Sequence, residues 1–217
     1  MMSKKKKTIL ACSIVLLLLI IDQIIKITVK LNMNLGESIR VFNWFYIEFI
    51  ENKGMAFGME IGSKMFLSLF RIVAVVIVLT FYIIKKIKYG ASTGFIIVIC
   101  MIYAGAVGNI VDSLFYGEIF SSSYPVYLNM PTSELVPWGN GYSSFLMGNV
   151  VDMFYFPLFH GTFPNWFPIW GGEKFTFFNA IFNFADACIS VGVVLMLLFF
   201  RKEFYTSLKH IDTKKTL

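Results

Sequence analysis

Asp186 constrains this chain more than any other residue. It stands at the head of fourteen consecutive uncharged residues, Ala187–Phe200, in an apolar run that ends at Arg201-Lys202. Such a run reads as a membrane helix. An ionised carboxylate carried below a membrane surface is costly unless it is paired, protonated or turned toward a wet cavity. A second acid also sits in an apolar setting, in Asn149-Val150-Val151-Asp152-Met153-Phe154. Two carboxylates held close cannot both ionise easily, so one keeps a proton near neutral pH. Such a pair can activate water with one member and donate a proton with the other. A lone buried acid can also be an accident of helix packing, and it is the second acid that favours chemistry.

Composition agrees with a membrane setting. The 217 residues are 57% hydrophobic and 15% charged, which describes a membrane protein rather than one large soluble domain. The net charge of +6 comes from basic residues that flank apolar runs, so nucleic acid is not an expected partner. Cys12, Cys100 and Cys188 each fall inside an apolar run and read as small hydrophobes. With two histidines and no H-E-x-x-H or Cys-His spacing, neither a metal site nor a cofactor is expected.

Four spans are predicted, over residues 8–31, 65–84, 94–114 and 177–200, within a single membrane domain covering 1–217. The first follows Lys4–Lys7 and has no small-residue cleavage site after it, so it reads as an uncleaved helix rather than a signal peptide. Asp22 and Lys26 lie one turn apart on it, acid first. They read either as an interfacial salt bridge or as polar support for something at that depth. Between spans lie two long loops, residues 32–64 and 115–176. In the first, Val41–Ile50 is β-branched and aromatic and predicts extended structure that breaks at Glu51-Asn52-Lys53-Gly54. Span three ends in small residues and then Asn109 and Asp112, one turn apart. That is a polar helix end or a functional pair, and an acid there opposes the helix dipole. In the second loop, Ser121–Ser144 is rich in turn formers, and Phe154–Phe178 mixes aromatics with Pro and Gly, as a segment lying along a membrane surface would.

The basic residues set the orientation. Four lysines precede span one, three lie in Lys85–Lys88 and five basic residues follow the last span, against four in both long loops together. Both termini and the short link are therefore expected in the cytoplasm. At 1.5 Å per residue, Asp22 and Asp186 lie roughly 21 Å, and Asp112 about 26 Å, from the cytoplasmic ends of their spans. In a hydrocarbon core of about 30 Å all three fall in the outer leaflet, and Asp152 reaches them from the outer loop.

The expected fold class is thus an all-α integral membrane protein of four transmembrane helices with both termini cytoplasmic. It carries a small extracytoplasmic β-rich segment and an interfacial aromatic segment. The stretches Asp22-Gln23-Ile24-Ile25-Lys26, Glu51-Asn52-Lys53-Gly54-Met55-Ala56-Phe57, Gly105 through Asp112, Val150-Val151-Asp152 and Phe182-Asn183-Phe184-Ala185-Asp186 occur in one order along nearly the whole chain. In these the chain resembles lipoprotein signal peptidase (signal peptidase II), the bacterial membrane aspartic peptidase family.

The resemblance implies that Asp152 and Asp186 are a catalytic dyad. It also implies that Asn52, Gly54, Asn109, Asp112 and Asn183 support the site or the substrate, and that Asp22 and Lys26 hold the first helix. The implied substrate is a diacylglyceryl-modified prolipoprotein, cut just before its lipidated cysteine in the bacterial inner membrane. A globomycin-type inhibitor would block it, membrane lipid surrounds it, and the chain is expected to be monomeric. The family commonly has Arg after Asp112, where this chain has Ser113, and the loops Tyr116–Met147 and Pro157–Phe175 are longer than the family's pattern. Two rivals stand beside this reading. A proton-coupled transporter would want midplane charges and polar groups reaching the cytoplasmic side, and here the cytoplasmic halves are almost wholly apolar. A non-catalytic lipoprotein-binding scaffold would not need both acids.

Overall fold

The computed structural model describes residues 2–53, 68–70 and 72–205. Helix α1, Lys4–Asn32, opens on Ser3, whose side chain accepts the Lys6 amide. A hairpin follows, β1 (Ser38–Phe42) and β2 (Phe45–Asn52). Helix α2 spans Ser68–Lys88, with a π-helical stretch at Ile72–Leu79. Helix α3 spans Thr93–Ile119 and is capped by Ser92, which accepts the Phe95 amide at 3.2 Å. Its regular turns stop at Val111, and Asp112–Tyr116 continue as a π-helix. Strands β3 (Val150–Tyr155), β4 (Phe159–Thr162), β5 (Lys174–Phe177) and β6 (Ile181–Phe182) lead into helix α4, Phe184–Phe199.

Among the described residues three helices, α1, α2 and α3, are long and apolar enough to cross a membrane, and α4 is a shorter apolar helix of 16 residues. Helix α3 is central, burying Phe95, Ile96, Val98, Ile99, Cys100, Ala104, Gly105, Gly108 and Ile110 inside the protein. The outer faces of the others present Leu16, Leu17, Ile24, Phe81, Ile84, Val194 and Leu198 to the surroundings. Helices clothed this way are solvated by lipid, not water. Small residues let α3 and α4 approach closely. A Cβ on Gly105 would stand 2.3 Å from the Ala185 carbonyl oxygen, and one on Gly192 would stand 2.7 Å from Ile102.

The structure departs from an all-α protein. One antiparallel sheet has the order β1-β2-β3-β6, and β4 and β5 form a second sheet of their own. The extended stretch expected at Val41–Ile50 is two strands, turning at Asn43-Trp44, and β2 runs on through Glu51 to Asn52 instead of breaking there. The reason is pairing: Glu51 lies opposite Val151 and Asn52 opposite Val150, so ladder hydrogen bonds override the turn-forming side chains. The last helix begins at Phe184, not 177, because Lys174–Phe177 and Ile181–Phe182 are committed to strands and Asn183 caps the helix. The third continues past 114 to Ile119. The expected start of the second span at residue 65 lies outside the described residues.

Among the described residues, two apolar cores hold these parts together. Ala11, Ile83, Ile87, Phe95, Ile96, Ile99 and Cys100 pack between the helices near the chain's basic link. Val29, Met33, Phe49, Tyr116, Phe120, Val151 and Met153 fasten the sheet to the far ends of α1 and α3. The second core fixes β2 and β3 over the helix bundle, and with them Asn52 and Asp152.

Candidate active site

Asn183 organises the site. As the cap of α4 it has an extended backbone, and its side-chain oxygen accepts the Asp186 amide at 2.9 Å while Asp186 Oδ2 accepts the Asn183 amide at 3.4 Å. This reciprocal box satisfies amides that the first turn of a helix leaves unpaired. It also turns Asp186 back over the helix start, where the dipole suits an acidic side chain. The remaining amide of Asn183 donates to Asp152 Oδ1 at 2.6 Å and to Asn109 Oδ1 at 3.0 Å. Asn109 in turn donates to Asp186 Oδ1 at 2.8 Å. The two acids are thus joined through two asparagines, and Asn52 donates to the far oxygen of Asp152 at 3.3 Å.

Beneath this pair lies a buried ionic group. Lys26 Nζ is 3.0 Å from Asp22 Oδ2, 2.8 Å from Asp112 Oδ2 and 2.8 Å from Asn109 Oδ1. Lys26 and Asp112 have no exposure and Asp22 has 1%. Lys26 therefore points inward, and of its two open readings the structure takes polar support over a snorkelling surface pair. Gln23 closes the group, donating to Asp22 at 3.1 Å and Asp112 at 3.0 Å, and Tyr116 donates to its carbonyl at 3.0 Å. A Cβ on Gly108 would stand 2.6 Å from Asp22 Oδ2, so a side chain there would displace the carboxylate. Ser113, standing where the family commonly has Arg, is buried and donates to the Asn109 carbonyl of its own helix at 3.1 Å.

A second cluster flanks the first. Lys30, also without exposure, is 2.5 Å from Glu51 Oε1 and donates to Ser123 at 3.0 Å, and Asn149 donates to Glu51 Oε2 at 2.7 Å. The Lys30 ammonium also lies over the Tyr142 and Phe120 rings, 4.8 and 5.4 Å from their centroids. Burial pushes Glu51 up, but the Lys30 charge and the Asn149 and Ser123 donors outweigh it and hold the carboxyl below the usual range. The cluster ties the end of β2, one residue before Asn52, to the long loop after α3.

Asp152 has a different balance. Burial and then the neighbouring Asp186 charge push its carboxyl up to about 7, against the pull of Asn52, Asn183 and Lys26. It lines an open cleft of about 470 Å³ together with Asn52, Ile50, Glu51, Lys53 and Ile181. An acid that holds its proton near neutral pH beside a second acid, at the mouth of a cleft, is arranged for general acid–base work.

Of the residues singled out in the sequence, Asp22, Lys26, Asn52, Asn109, Asp112, Asp152, Asn183 and Asp186 meet in this network. Gly54 lies outside the described residues. The sequence pattern passed over Gln23, Lys30, Ser123 and Tyr116. Lys30 had a usable signal, because Asp22, Lys26 and Lys30 fall at i, i+4 and i+8 on one helix face. Ser123 and Tyr116 had none, since only tertiary folding brings them near α1.

Comparison with known proteins supplies the family. The model of the family described as signal peptidase (SPase) II matches residues 14–202. A lipoprotein signal peptidase of Porphyromonas gingivalis is 49% identical over 207 residues, covering 94% of this chain and 87% of that one. One of Amoebophilus asiaticus is 33% identical over 191 residues, covering 85% and 75%. A solved bacterial membrane enzyme, determined by the in meso method, superposes with a TM-score of 0.57 at 23% identity over 87% of this chain and 90% of that chain, a likeness of fold. With a family match running through all five motif stretches, from Asp22 to Asp186, this chain belongs to the signal peptidase II family.

Proposed function

We propose that this membrane protease removes signal peptides from diacylglyceryl-modified prolipoproteins, cutting just before the lipidated cysteine, with Asp152 and Asp186 as its catalytic acids. The observation that carries the reading is the hydrogen-bonded path Asp152–Asn183–Asn109–Asp186 beside an open cleft. The pair titrates as a unit, so the proton belongs to the pair rather than to either member. Its ionised member takes a proton from water as the water oxygen attacks the scissile carbonyl. Its protonated member gives its proton to the carbonyl oxygen. Collapse of the tetrahedral diol then breaks the C–N bond, and a proton passes to the leaving cysteine amine. Every step is supplied by the two carboxyls and one water.

The placement of basic residues supports four helices crossing the bacterial cytoplasmic membrane, with both termini and the Lys85–Lys88 link inside and the acids toward the outer face. A monomer contains both acids and the cleft. A globomycin-type cyclic peptide would compete for that cleft. A lipoprotein-binding scaffold would need the cleft but would gain nothing from a neighbouring pair of buried acids.

The test is cleavage of a lipid-modified precursor by purified protein. Asp152→Asn and Asp186→Asn are nearly isosteric, and each is expected to lower turnover by about 10²–10⁴-fold, the usual contribution of general acid–base groups. Turnover at the parent rate by either folded variant would refute the dyad.

A further inference from the structure

Strands β4 and β5 form an arm that belongs to neither core. Among the described residues it pairs with no other strand, and a lone two-stranded sheet is marginal in water unless something covers one face. Its two faces differ sharply. Phe159 pairs with Phe177, their rings stacked at 4.6 Å, and Phe175 lies on the same face, with Phe163 just beyond at 4.6 Å from it. The opposite face carries His160, Thr162, Lys174 and Thr176, with His160 Nδ1 2.9 Å from the Thr176 hydroxyl. Phe159 and Phe177 are each about half exposed, and at the tip Trp166 is 79% and Ile169 88% exposed. The arm's rings stack on one another, through Phe163, Phe167 and Trp170, rather than on either core.

The base of the arm lies beside the start of α4. Phe178 meets Phe182 edge-on at 5.8 Å, and Phe182 stands two residues before α4. From Phe199 to Phe184 that helix rises only about 23 Å at 1.5 Å per residue, short of a core of about 30 Å. The start of α4, and the strand leading into it, must therefore lie within the leaflet boundary rather than above it. An amphipathic, tryptophan-tipped arm leaving from that level meets the headgroup layer first. Trp and its aromatic neighbours favour that layer because an apolar ring and a polar edge are both satisfied there.

We propose that the β4–β5 arm is a membrane-docking element whose aromatic face and Trp166–Trp170 tip lie in the headgroup–acyl boundary of the leaflet carrying the enzyme. It does so with no substrate bound. The inference needs only that the chain spans a membrane and is independent of the catalytic roles given to the aspartates.

The test uses the full chain reconstituted in phospholipid vesicles, with Trp44→Phe and Trp138→Phe leaving Trp166 and Trp170 as the reporters. Their fluorescence is expected to be quenched by phospholipid brominated close to the headgroup, and less by phospholipid brominated near the chain ends. Aqueous iodide should quench them several-fold less than it quenches a free tryptophan amide. Full iodide access with no lipid quenching would overturn the proposal. So would lipid quenching that appears only after lipidated precursor is added, which would make the arm a cover for substrate. Cleavage by the same sample, measured alongside, reports separately on the peptidase reading.

Discussion

Asp22 Oδ1 accepts the backbone amide of Ala185 at 3.0 Å, linking the first membrane helix to the first turn of the last. Asp112 does the same on the other side, its Oδ2 accepting the Val151 amide at 3.3 Å. Each supporting carboxylate thus grips the residue that precedes a candidate catalytic acid, Ala185 before Asp186 and Val151 before Asp152. Lys26 lies between the two supports and holds both. The group explains how acids carried by a strand and a helix, 34 residues apart in sequence, are held in one site.

Removing Lys26 should therefore be severe. Lys26→Met leaves two buried carboxylates without their cation, and breaking a buried ion pair by deleting one partner costs about 3–5 kcal/mol. A large fall in thermal unfolding temperature is expected in detergent, together with loss of cleavage. An unfolding temperature unchanged from the parent would show that Asp22, Lys26 and Asp112 do not act as a unit.

The raised carboxyl of Asp152 sets a pH limit. Its folded value is about 7 against an ordinary 3.8, so the folded state binds more protons between those values. This group's contribution to stability is therefore greatest below 3.8 and is lost as pH rises through about 7. Cleavage should decline over the same alkaline limb as the pair loses its shared proton. Asn52→Ala removes a donor that favours the ionised form, so the limb should move to higher pH even as the peak rate falls. A limb that stays in place, or moves to lower pH, would separate Asn52 from Asp152.

Helix contact is tested at Gly105. Its added Cβ would meet the Ala185 carbonyl oxygen at 2.3 Å, and that atom is backbone, so α3 and α4 must part. Gly105→Ala is expected to cost about 1–3 kcal/mol, the range for overpacking a close contact. Because Ala185 neighbours Asp186, activity should fall further than the lost stability accounts for. Parent-like unfolding and cleavage would mean the helices are looser than they stand here.

The substrate's lipid is expected to be obligatory. If the acids lie just beneath the outer interface, the scissile bond must be held at that depth, and two acyl chains at about 0.8 kcal/mol per buried CH₂ do so more strongly than any side-chain contact. A precursor identical but for the diacylglyceryl group should be cut more slowly by orders of magnitude. Efficient cleavage of the unlipidated form, measured at equal concentration, would reject this account of the substrate while leaving the dyad intact.

Much of this was legible in the sequence because a bilayer allows few solutions. Apolar length places helices, basic flanks orient them, and a carboxylate such as Asp186 or Asp22 inside such a run demands a partner. The shared face of Asp22 and Lys26 followed from helical spacing alone. The tertiary structure decided everything that depends on long-range pairing. Whether Glu51-Asn52 turned or stayed in a strand rested on Val150 and Val151 lying opposite them, about a hundred residues away. Whether residues 174–182 were helix or strand rested on pairs such as Phe177 with Phe159 and Phe182 with Phe154. Gln23, Lys30, Ser123 and Tyr116 became part of the site only when α3 and its following loop packed beside α1. A local pattern fixes which face a side chain occupies, but the cost of burying a charge is met only by partners that the fold brings from elsewhere.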